Sequence, residues 1–194
     1  SQAIEFYSKA VELDPQRWLS RLAFLKCIFA KDYTSALQDL TISIDRYGLI
    51  YEQDHSLEFY KGLCYLQLNK FEKAKSILEQ TINSETKKSG PAWVHFLDYF
   101  YLGISHYELG NYEIANSHFN AALKDYPKFS DAQYYKSICL HYLKKPSEAK
   151  ALMTLAKLNF ESGFTFNEDS SRYEDYPYQI SWQWSSCHAM LTEL

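Results

Sequence analysis

Apolar positions recur along most of this chain with a helical period, and the helices they predict come in pairs. The stretch Tyr99–Pro127, YFYLGISHYELGNYEIANSHFNAALKDYP, contains two such helices and a turn. Gly103 and Ala115 are small enough to let two helix backbones approach closely, while Leu102, Tyr112 and Phe119 fill the space around that crossing. Gly110-Asn111 supplies the turn, because both residues tolerate positive φ. Pro127 cannot continue a helix and stops the second one. One hairpin of this kind cannot bury its apolar faces alone, so the pattern is expected to recur.

It does recur. Ala3, Ala36, Ala74, Ala115 and Ala149 are separated by 33, 38, 41 and 34 residues. Twelve residues before each of the last four stand Phe24, Gly62, Gly103 and Ser137, the facing crossing positions. Four residues after the five Ala come Tyr7, Leu40, Leu78, Phe119 and Met153, and seven after come Ala10, Ser43, Thr81, Ala122 and Ala156. Two spacings hold one period, and two exceed it by insertions.

With a period near 34 residues, small residues at the crossing, aromatics around them and a late Pro, the chain resembles the tetratricopeptide repeat (TPR) family. The resemblance covers residues 1 to about 160 and implies an all-α, right-handed superhelical solenoid of antiparallel helix pairs. The expected parts are a half repeat over 1–15 and repeats over about 16–47, 54–84, 91–127 and 130–160, followed by a tail over 161–194. Phe24 replaces the small residue in the first full repeat, so a wider crossing is expected there. Tyr47–Asp54 reads as a linker, with Gly48 placed as a helix stop. Ser84–Gly90, SETKKSG, reads as a polar loop, and Pro91–Leu109 as a first helix lengthened by one to two turns at its start.

The tail breaks the pattern. Glu161–Gln179 is polar and acidic with interleaved aromatics and no helical period. Ile180, Trp184, Cys187 and Leu191 then mark one face of a last helix. Two readings stay open. The helix caps the exposed apolar end of the last repeat, as solenoids require; or Phe164, Phe166, Tyr173 and Tyr176 fold back and occupy the binding groove.

The resemblance also places that groove. In TPR proteins the first helix of each repeat lines the concave surface. The matching positions here are Phe59, Tyr60 and Leu63; Phe100, Tyr101, Ile104 and Tyr107; and Tyr134, Tyr135, Ile138, His141 and Tyr142. They form an aromatic ladder with Tyr60, Tyr101 and Tyr135 in register. The resemblance implies a non-catalytic scaffold that binds another protein or a peptide there. Tyr suits such a surface, offering large contact area, little entropy loss and a hydroxyl. The alternative is a spacer or oligomerisation module, a homo-oligomer included, whose groove is filled by its own tail. The Lys/Arg/Asn clamp by which some family members hold acidic chaperone tails is missing, since Leu63 and Ile104 stand where its Asn would be.

Composition narrows the classes. A formal net charge of −4 argues against a nucleic-acid partner, which requires a basic stripe. No apolar run reaches the length of about 18 residues needed to insert into a membrane. Cys27, Cys64, Cys139 and Cys187 form no CxxC pair. They read as buried reduced thiols, in a repeat not expected to bring them together as disulfides, and this usage favours the cytoplasm without fixing the compartment. His55, His95, His106, His118, His141 and His188 show no metal-ligand spacing, so neither metal nor cofactor is expected. His106 reads as a core residue, His118 as exposed, and His141 as the one histidine facing the groove. No nucleophile–base pattern or Gly-rich phosphate loop points to an enzyme. The chain begins with Ser1 inside a repeat, so a piece of a longer protein is expected.

Overall fold

The computed structural model describes residues 2–48, 50–166 and 174–180. They divide into two compact units. The first holds residues up to 91 together with 174–175, and the second holds residues from 92 together with 176–180.

In the first unit, α1 (Gln2–Leu13) packs on α2 (Pro15–Ile28), α2 on α3 (Tyr33–Tyr47), and α4 (Leu57–Gln67) on α5 (Phe71–Ser89). Pro15 opens α2, and Asp14 caps it by accepting from the Arg17 N–H. Asp32 caps α3 in the same way through the Ser35 N–H. Gly48 ends α3 at φ 78°, as expected of a helix stop. Phe24 does take the crossing position, where it is buried with its ring edge-on to Tyr60. At the next crossing Gly62 faces Leu78 so closely that an added Cβ would lie 2.7 Å from Leu78 Cδ2.

Two expectations fail in this unit. Ser84–Ser89 is not a loop but the last turns of α5, which Gly90 terminates at φ 96°. Lys87 and Lys88 lie in that last turn, where they complement the helix dipole. The residues inserted between 47 and 57 are not a plain linker. They form a short antiparallel hairpin, β1 (Tyr51–Glu52) paired with β2 (His55–Ser56). Cys27, Cys64 and Cys139 are buried free thiols, as expected. Cys27 and Cys64 are both fully buried, and their sulfurs lie 3.6 Å apart as free thiols. Helices α2 and α4 bring these two thiols together.

In the second unit, α6 (Phe96–Glu108) pairs with α7 (Tyr112–Asp125), and α8 (Ser130–Tyr142) with α9 (Pro146–Glu161). Helix α6 begins at Phe96, not Pro91; Pro91–Trp93 is a separate 3-10 turn, so the predicted extra length belongs to α5. Gly103 meets Phe119, and Ser137 stands near Met153. Of the Gly110-Asn111 pair, only Gly110 uses positive φ. The residue five before each crossing Ala shares that conformation: Lys31 (56°), Asn69 (56°), Gly110 (75°) and Lys144 (61°). The backbone therefore repeats more faithfully than the sequence. His118, expected to be exposed, is half-buried and stacks on His106 with ring centroids 5.2 Å apart. The predicted capping helix beyond Ile180, and Tyr173, lie outside the described residues.

Candidate functional site

The first helix of each repeat carries the expected aromatic ladder, but most of it is covered. In the first unit Phe59, Tyr60 and Leu63 have no exposed surface. The hairpin lies on Phe59 and Tyr60. His55 stacks on Phe59 at 4.0 Å, and the Tyr60 hydroxyl donates to the Glu52 carbonyl at 3.0 Å. Glu52 in turn accepts from the Ser20 hydroxyl and pairs with Arg21 Nε at 3.3 Å, which fixes the hairpin to α2.

In the second unit Phe100, Tyr101 and Ile104 are likewise fully buried, and here the covering element is the tail. Phe166 stands edge-on to Phe100 at 5.7 Å and to Phe129 at 5.2 Å. Tyr176 stacks on Phe166 at 5.5 Å. The Tyr101 hydroxyl donates to the Pro177 carbonyl at 2.8 Å. Tyr178 brings its ring 6.0 Å from that of Tyr135. Burial, together with the Glu108 carboxylate, pushes its pKa well above the ordinary tyrosine value. Of the four tail aromatics that one of the two readings folds back, Phe166 and Tyr176 pack on this face. Phe164 is only half-buried, beneath the Lys128 ammonium at 4.3 Å.

Tyr107, Tyr134, Tyr135, Ile138, His141 and Tyr142 continue the same face. Tyr107 packs on Tyr135 at 5.5 Å, and burial raises its pKa to about 12. Burial likewise lifts Tyr135. Tyr134 points instead into the core with Met153 and Ala156, against which Tyr135, Ile138 and Ile180 also pack. Tyr142 keeps 51% of its surface exposed and stacks flat on Tyr112 at 4.3 Å, with His141 beside it. The ladder is thus one connected surface on α6 and α8; among the described residues Tyr142 is exposed, and Tyr107, Tyr135, Ile138 and His141 are half-buried.

Asp131 is the residue that sequence reasoning missed. It is fully buried in the first turn of α8. Its Oδ1 accepts the Ile180 N–H at 2.7 Å, and its Oδ2 accepts the Thr165 hydroxyl at 2.7 Å and the Ser130 hydroxyl at 3.2 Å. Burial raises its pKa to about 6, and the three donors work against that shift. One carboxylate thereby holds both tail segments, residues 164–166 and 176–180. An Asp near a helix start reads in sequence as a helix-dipole partner, and nothing local marks it as a latch.

These paired helices, with small residues at each crossing and aromatics on the first-helix face, define a helical-hairpin repeat protein. Family models described as tetratricopeptide repeat match residues 101–163 and 57–85. The chain carries tetratricopeptide repeats over these stretches, in agreement with its all-α helical-hairpin fold. No curated protein matches the sequence. Among solved structures it is similar to "Crystal structure of MamA", at 17% identity and TM-score 0.65, covering 83% of this chain and 88% of that one. It is also similar to "MamA 41-end from Desulfovibrio magneticus RS-1", at 13% identity and TM-score 0.68, covering 83% and 85%. A third is "YrrB: a TPR protein with an unusual peptide-binding site", at 18% identity and TM-score 0.59, covering 84% and 82%. At these identities the likeness concerns the fold.

Proposed function

We propose that this chain is a non-catalytic protein–protein interaction scaffold whose peptide site is the aromatic face of α6 and α8. The observation that carries the reading is the seat of Pro177. A segment without helical structure lies on this face, and a ladder tyrosine, Tyr101, reads its main-chain carbonyl. A surface that binds one such segment through a main-chain contact and ring packing has the chemistry to bind another. The site line comprises Phe100, Tyr101, Ile104, Tyr107, Tyr135, Ile138, His141 and Tyr142. Phe59, Tyr60 and Leu63 serve the hairpin in the first unit, and Tyr134 serves the core. YrrB, a TPR protein with an unusual peptide-binding site and a fold similar to this chain, fits the same class of function.

The test is a selection of displayed random peptides on the full chain carrying Tyr176→Ala and Tyr178→Ala. Peptides that bind this variant and weaken when Tyr101→Phe is added support the reading. Failure to select any peptide, or peptides indifferent to Tyr101, would place the binding surface elsewhere.

A further inference from the structure

We infer that the α6–α8 face is selective for a short segment built on an aromatic–proline–aromatic turn, and that residues 176–180 are a resident copy of the ligand it takes from a partner. This rests on the reading of that face as a peptide site. Residues 176–179 form a tight turn. The Gln179 N–H donates to the Tyr176 carbonyl at 3.2 Å, and the Gln179 side-chain oxygen accepts the Tyr176 N–H at 3.2 Å. Pro177 occupies the second turn position, where its fixed φ is favoured, and Tyr178 the third, at φ 61°.

Two contacts read the main chain. Tyr101 donates to the Pro177 carbonyl, and Asp131 accepts the Ile180 N–H three residues later. Their spacing fixes register, and any sequence that makes the turn can supply both. Two contacts read side chains. Tyr176, only 2% exposed, stacks on Phe166, and Tyr178 lies against Tyr135. The proline between the two rings sets the angle that lets each reach its seat.

The resident copy is also built to be displaced. Tyr178 holds a left-handed backbone that turns of this kind normally give to Gly or Asn. The strain weakens the closed strap relative to its contacts. A partner segment has to overcome only that weakened closure, together with the high effective concentration of a tethered ligand.

The probe is a labelled synthetic peptide with the sequence of residues 174–180, EDYPYQI, amidated at its C-terminus and followed by fluorescence anisotropy. The expected result is binding to the full-chain Tyr176→Ala/Tyr178→Ala variant at least tenfold tighter than to the wild-type chain, whose strap competes. Replacing the peptide's proline by Ala weakens binding at least tenfold. Adding Tyr101→Phe to the protein weakens it about fivefold, the equivalent of one hydrogen bond. If the double variant does not fold, Tyr178→Ala alone replaces it. The inference falls if the proline-free peptide binds equally well. It also falls if EDYPYQI does not bind while displayed apolar peptides do, and then the peptide site itself stands. If no peptide of any kind binds, both readings fail together.

Discussion

Gly103→Ala sets two effects of opposite sign against each other, and the structure decides between them. On helix propensity alone the change stabilises α6, since Ala is favoured over Gly by about 1 kcal/mol in a helix interior. A Cβ at position 103, however, would lie 2.7 Å from Phe119 Cε1, 2.8 Å from Cδ1 and 3.2 Å from Cζ. Phe119 cannot swing aside. Its ring is fully buried, with Phe100 at 5.9 Å and Tyr135 at 6.3 Å. Forcing a methyl group into such packing costs about 1–3 kcal/mol, because helix and ring must separate. The net expectation is a loss of up to about 2 kcal/mol, or a fall in Tm of up to about 8 °C. Urea unfolding followed by circular dichroism should show a lower midpoint with an unchanged slope. Gly62→Ala meets the more pliable Leu78 side chain and should cost less. A midpoint that rises in Gly103→Ala would refute the close-crossing argument.

Other outcomes follow from the same coordinates. Lys144 holds φ 61° in an exposed turn slot that Gly110 fills in the preceding repeat, so Lys144→Gly should raise stability by about 0.5–1 kcal/mol in thermal melts. Asp131, raised from 3.8 to about 6, binds its proton more tightly folded than unfolded, so its contribution falls by up to about 3 kcal/mol as pH climbs from about 4 to 6. His118, lowered from 6.5 to about 4 by burial and by His106, has the opposite sign: its contribution is present above about pH 6.5 and is lost as pH falls toward 4. The two partly cancel in the wild-type chain. Stability measured against pH should therefore rise between pH 4 and 6 in Asp131→Asn and fall over the same range in His118→Asn; parallel slopes in the two variants would contradict both assignments.

The repeat was legible because its physics is local. A crossing requires a small residue, and its aromatic neighbours follow at helical spacing, so α7 starts directly after the Gly110-Asn111 turn and ends before Pro127, as expected. Helix α5 was cut short because SETKKS offers no apolar stripe once Ile82 has passed. Its end signals, two lysines in the last turn and then a glycine, were present all the same. The hairpin at 51–56 was missed because two-residue strands leave too few positions for alternation to register. At the site, the ladder could be read from sequence but its covers could not. Tyr101 meets Pro177 across 76 residues of chain, and the Asp131 latch joins partners 34 and 49 residues away. No spacing rule reaches over such distances, and a buried carboxylate looks like any other until its donors are in place.

The central claim is that residues 176–180 occupy a site made for another segment. Amide hydrogen exchange of Ile180 in the unmodified chain tests it most directly, because that N–H is bonded to Asp131 only while the strap is seated. The account predicts a protected Ile180 amide that loses its protection when EDYPYQI peptide is added in excess, while the amides of α6 and α7 keep theirs. An Ile180 amide that exchanges freely from the start, or one that stays protected at saturating peptide, would contradict it.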